Sequence, residues 1–82
     1  MEQLVNSPKS LGNAIKRQRK AKQLTQKTAG DTFKIEQSTV SSVEQGAEGT
    51  RLATLFRLLA ALDLEMVIRS KANTVHVHKE NW

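Results

Sequence analysis

Gln37, Ser38, Thr39, Ser41 and Ser42 crowd into one short stretch of the chain. Amide and hydroxyl side chains build a core poorly, but they match the hydrogen-bonding edges that bases display in the DNA major groove. Gln37 suits a bidentate pair with adenine N6 and N7. Ser38, Thr39 and Ser42 suit hydrogen bonds to bases or contact with a thymine methyl, with plain solvation as the alternative for each. Ser41 suits a phosphate contact or packing. Thr25, Lys27, Lys34, Gln45 and Arg51 are further candidates for phosphate oxygens. Nowhere does the sequence pair a nucleophile with a base, form a phosphate-cradling glycine loop or set two carboxylates at a useful spacing. The expected activity is therefore binding, not catalysis. His76 and His78 share one face at strand spacing, but two ligands are too few for a closed zinc site. No metal and no cofactor is expected.

These residues need helices to present them. Ser7-Pro8 is a helix start, with Ser at the N-cap and Pro at the first helical position. The pattern of Leu11, Ala14, Ile15 and Gln18 extends that first helix over residues 8–21. A second helix is expected from the hydroxyl cap Thr25 to Phe33. A third runs from Gln37 to Gln45 and stops at Gly46, a favourable residue just past a helix end. A fourth is expected from a Thr50 cap to Leu62, with Leu52, Leu55, Phe56, Leu59 and Leu62 on its buried stripe. Leu58 and Ala61 widen that stripe, which suggests a second apolar face for another subunit. After Asp63 the period changes to 2, so residues 64–70 read as a strand. A lone strand cannot satisfy its backbone groups. Its partner is either residues 74–78 or, the favoured choice, the same strand of a second copy in a two-fold dimer. Leu58, Ala61, Leu62, Leu64, Met66 and Ile68 are the expected dimer contacts.

An 82-residue chain allows one small domain. Residues 1–7 are expected to be a flexible start, 8–70 the folded unit and 71–82 a flexible tail. Aromatic content of 4% leaves the core to Leu, Ile, Val and Ala. With no cysteine there is no disulfide scaffold or thiolate metal site. No apolar run approaches the roughly 18 residues that span a bilayer, so the expected location is cytoplasmic, with no membrane partner. The net charge of +5 is uneven: residues 1–34 hold eight basic and two acidic side chains, whereas 35–82 hold five and six. A basic block from Lys9 to Lys27 favours a polyanion, because binding releases condensed counterions.

From Gln26 onward, Ala29, Gly30, Phe33, Ile35, Val40 and Val43 stand where two crossing helices need small or apolar residues. With Leu24-Thr25-Gln26 at the start and Ser41-Ser42-Val43-Glu44-Gln45-Gly46 at the close, residues 11–62 resemble the phage-repressor/Xre-type helix-turn-helix family. The resemblance implies a mostly α, four- to five-helix lambda-repressor-like domain. It implies that Gln26 holds a DNA phosphate with its amide, helped by helix N–H groups. It also implies that Arg19 pairs with Glu44 as a structural tie, the alternative for Arg19 being a phosphate contact. Two positions depart from the family pattern. Lys34 stands where the turn usually has Gly, and Thr28 where the second helix usually has Glu.

The helix-to-strand passage from Leu55 to Lys71, followed by a polar tail ending in Trp82, resembles HipB-type antitoxins. That resemblance implies a homodimer closed by strand pairing, bound to palindromic operator DNA. It implies a second partner, a HipA-type serine/threonine kinase toxin of one chain or split, with the complex repressing its own operon. Trp82 is the candidate toxin contact. Two rivals stand beside this reading: a free-standing repressor without a toxin, and a protein-interaction module that has lost specific DNA binding.

Overall fold

The computed structural model describes residues 2–71. The expectations for Trp82, His76, His78 and residues 74–78 lie outside them. Four helices follow one another: α1 (Pro8–Ala21), α2 (Gln26–Asp31), α3 (Gln37–Glu44) and α4 (Leu52–Ala61). The third packs on both the first and the second, and the second also meets the fourth.

Local sequence starts the first two helices. Ser7 Oγ accepts from the Ser10 N–H at 3.0 Å, while Ser10 Oγ accepts from the Ser7 N–H at 3.1 Å. Thr25 and Thr28 repeat this reciprocal cap on α2. Thr28, where the family usually has Glu, does the same job with a hydroxyl. The expected Thr50 cap is corrected: Arg51 is the N-cap of α4, and its side chain makes no cap bond.

All four helices end alike. Gln23, Lys34, Gly46 and Asp63 turn left-handed, with φ of 60°, 59°, 91° and 58°. The next N–H then returns to the final turn: Leu24 to Arg19 O, Ile35 to Gly30 O, Ala47 to Ser42 O and Leu64 to Leu59 O. This is the Schellman arrangement, which satisfies carbonyls that a helix end would otherwise orphan. Only one of the four left-handed residues is glycine, so the others each carry a strain of roughly 1 kcal/mol. The turn at Lys34 thus has the left-handed backbone expected of a Gly position.

The same turn ends α2 at Asp31, earlier than expected. Phe33 falls on it and is 36% exposed, so its expected inward anchoring is corrected; Ile35, at 5%, takes the inward place. A Cβ on Gly30 would strike the Ile35 carbonyl oxygen, so Gly30 makes room for the turn and not for α3 itself.

The core gathers Ile15, Ala29, Ile35, Val40, Val43, Leu55, Leu58, Leu59 and Leu62, with Leu11, Leu24 and Leu64 packed against it. Two dimer assignments are corrected here. Leu58 and Leu62 are fully buried within their own subunit, leaving no side chain for a second copy. The outward apolar face of α4 is instead Leu52, 62% exposed, and Phe56, 47% exposed. The phase of the helix against α2 decides which side faces inward, and an apolar pattern covering more than half the circumference leaves that phase open. Ala61 is half-buried.

Beyond the Leu64 N–H no strand is assigned among the described residues. A ladder needs a second strand, and the described part of one chain supplies none. Met66, Val67 and Ile68 stand exposed. No helix among the described residues is long and apolar enough to cross a membrane.

Candidate nucleic-acid interface

Sequence places Arg19 on α1, Gln26 at the first position of α2 and Glu44 at the last position of α3. Packing brings the three together. Arg19 Nε donates to Glu44 Oε2 at 2.6 Å and Nη2 donates to Oε1 at 3.0 Å, a bidentate pair. Arg19 Nη1 donates to the Leu24 carbonyl at 2.9 Å, and Gln26 Nε2 donates to Glu44 Oε1 at 3.2 Å. Both charged residues are buried, Arg19 at 8% and Glu44 at 7% exposure. Burial alone pushes the Glu44 carboxyl up, but hydrogen bonds from Arg19 and Gln26 outweigh it and hold the group below its usual range. The hydrogen bond to Glu44 raises the Arg19 value against the opposing effect of burial. The ion pair is thus a structural tie. The buried guanidinium spends three of its N–H groups on Glu44 and Leu24 within the subunit, which argues against the phosphate alternative for Arg19.

Gly12 is the residue that lets α1 reach this tie. A Cβ there would clash with the carbonyl oxygens of Val43 and Glu44 at the end of α3. Nothing in the sequence marks it, because a glycine inside a helix pattern reads only as a weak spot. Gln18 shares the face of Leu11, Ala14 and Ile15, and its Nε2 donates to the Leu62 carbonyl at 2.9 Å, fastening α1 to the end of α4.

The polar residues of α3 face a different way. Gln37 and Ser38 are exposed, Thr39 is half-buried and Ser42 is exposed. Ser38, Thr39 and Ser42 line an open concave face that continues through Thr50 and Arg51 to Thr54. So packing joins three of the base candidates to one phosphate candidate from the next helix, and adds Thr54, which sequence reading missed. A hydroxyl on α4 has no periodic signal to separate it from surface polarity.

The remaining candidates lie outside the lining of this face. Lys34 projects from the left-handed turn and is exposed. Lys27 Nζ lies 3.3 Å from Asp31 Oδ2, an exposed i, i+4 pair worth only about 0.3–0.5 kcal/mol and readily exchanged for another anion. Gln45 Nε2 donates to Ser41 Oγ at 3.0 Å. Thr25 Oγ1 is occupied by its cap with Thr28, accepting from the Thr28 N–H at 3.0 Å.

A helix-turn-helix family profile matches residues 15–68. The chain belongs to the helix-turn-helix family. Within that family it is of the HipB antitoxin type. It is 34% identical over 71 residues to "Antitoxin HipB" of Escherichia coli strain K12, covering 87% of this chain and 81% of the relative. A chain from a HipA-HipB-O2-O3 complex superposes with a TM-score of 0.79 at 33% identity, covering 85% of this chain and 99% of that one. A chain from a HipB-O4 20mer complex gives 0.78 at 33% identity, covering 84% and 97%. The restriction-modification controller protein C.AhdI from Aeromonas hydrophila is similar over less of the chain, with a TM-score of 0.65 and 31% identity, covering 71% of this chain and 88% of that one.

Proposed function

We propose that this HipB-type protein is a sequence-specific repressor and the antitoxin of a toxin–antitoxin operon. It binds and restrains a HipA-type serine/threonine kinase, and the complex represses its own operon. The observation that supports the DNA half is the hydroxyl-lined face. Gln37, Ser38, Thr39 and Ser42 stand on the open side of α3, while every large apolar residue of that helix points into the core. In this reading those four contact bases. Gln26 and the nearby Thr25, Lys27, Lys34, Ser41, Gln45 and Arg51 contact phosphates. Two subunits would place their α3 helices in successive major grooves about 34 Å apart on a palindromic operator.

The kinase half rests on likeness. Relatives solved as HipA-HipB and HipB-DNA complexes match 84–85% of this chain. The dimer would pair residues 64–70 across the two-fold axis, through Leu64, Met66 and Ile68 with Ala61 beside them. Trp82, the last residue of the sequence, would anchor the toxin, since Trp is an efficient anchor when it enters a pocket. Control would come from binding, not chemistry. The likeness to C.AhdI keeps the free-standing regulator as the second reading, but it covers 71% of the chain against 85%.

The deciding experiment co-purifies the chain with the product of a neighbouring kinase reading frame, with and without Trp82. Stoichiometric kinase, lost on Trp82→Ala, supports the antitoxin reading and its anchor. A chain that shifts its upstream DNA but captures no kinase favours the free-standing regulator.

A further inference from the structure

Glu44 touches the first residue of α2 as well as Arg19. Its Oε1 accepts from both Arg19 Nη2 and Gln26 Nε2, while Arg19 Nη1 holds the Leu24 carbonyl two residues earlier. The entry to α2 is therefore gripped at the backbone by the arginine and at the side chain by the glutamate. A carboxylate only accepts hydrogen bonds. Against it, the Gln26 amide must turn its nitrogen inward, because the flipped amide would set its carbonyl oxygen against a negative charge. This is the one hydrogen bond of the Gln26 side chain among the described residues, so the second N–H of the amide stays free on a half-buried residue. Arg19, bound at both Glu44 oxygens, keeps the carboxylate from swinging away or taking up a proton.

We propose that Glu44, held by Arg19, is a positioning residue for DNA binding: it fixes the Gln26 amide so that its free N–H is presented to a backbone phosphate. The proposal rests on Gln26 being a phosphate contact, as read above. It makes the ion pair part of the binding apparatus as well as a brace. An unrestrained glutamine at that position samples many rotamers and both amide orientations, and must lose that freedom when DNA arrives.

The test is a double-mutant cycle, read as affinity for a random-sequence DNA duplex at low salt. One arm is Gln26→Ala. The other replaces the ion pair with apolar residues of similar volume, Arg19→Met with Glu44→Met, a change that buried pairs often tolerate. Gln26→Ala should weaken binding about tenfold, the scale of one hydrogen bond to a charged group. The Met pair should cause a comparable loss while thermal unfolding shows it folded, and adding Gln26→Ala to it should cost little more. Losses that multiply overturn the positioning role and leave the phosphate contact standing. No loss from Gln26→Ala alone overturns the phosphate reading itself. Should the Met pair fail to fold, the unaltered protein still decides. Side-chain amide NMR should show the Gln26 hydrogens rigid and distinct from those of exposed Gln37; a Gln26 amide as averaged as that of Gln37 overturns the proposal.

Discussion

The α1–α3 face and the α4 exit differ in how far one chain can complete them. On the first face every buried side-chain polar atom among the described residues has a partner. A bidentate ion pair, two reciprocal caps and a close helix crossing at Gly12 hold α1, α2 and α3 together. The α4 exit leaves Leu52, Phe56, Met66, Val67 and Ile68 exposed and residues 65–70 without a ladder. Under the proposed function the difference is what each surface needs. A DNA-reading face gains from being fixed within the subunit, because less freedom is lost when DNA arrives. A surface proposed to pair with a second copy is left for that copy to complete.

That contrast can be broken at several points. The largest effect should come from the braced face. Glu44→Gln leaves Arg19 buried without its counter-charge and should destabilise by roughly 3–5 kcal/mol, measured by urea unfolding at neutral pH. The loss should shrink in acid. The native Glu44 carboxyl lies below its usual range, so its contribution is complete above the unfolded value of about 4.3. It disappears as pH falls through the lower native value. A gap between the two proteins that stays constant into that range would contradict the assignment.

Leu58→Ala, in the core, should cost about 2–5 kcal/mol, whereas Phe56→Ser on the same helix should change unfolding of dilute protein by no more than about 0.5 kcal/mol. Equal costs would mean that Phe56 is covered within the subunit after all. Gln37→Ala should lose about 1–3 kcal/mol on the natural operator and relax preference at one base pair, with much less change on random DNA. Equal loss on both duplexes would sink direct readout. The smallest change is Gln23→Gly at the left-handed end of α1, expected to raise stability by up to about 1 kcal/mol because glycine relieves the positive φ. A lower melting temperature would show that the Gln23 side chain contributes more than its backbone strain costs.

Much of this was legible because it is local. The Ser7-Pro8 start, the Thr25 cap, the Gly46 stop and the extent of α1 depend on residues within one turn of each other. The polar grouping at 37–42 is equally local, so the base candidates could be named without coordinates. Misreadings came where local rules leave two solutions. Phe33 reads as inward until the left-handed Lys34 turns the chain and hands that place to Ile35. Helix α4 is apolar around most of its circumference, so periodicity alone sets Leu52 and Phe56 on the buried stripe and Leu58 on the face offered to a second subunit, the reverse of what packing does.

The sequence by itself determined that this is a small, mostly helical, basic chain with a helix-turn-helix stretch and a change of period after Asp63, because each of those is a matter of neighbours in the chain. Only the tertiary structure decided what the long-range pairs do. It set Gly12 against the end of α3, Gln18 on the Leu62 carbonyl, Thr54 on the same concave face as Ser38, and Gln26 on the glutamate that Arg19 holds. Those pairs are separated by 16 to 44 residues or lie on different helices, and their meeting follows from how the helices pack, a choice no short window of sequence contains.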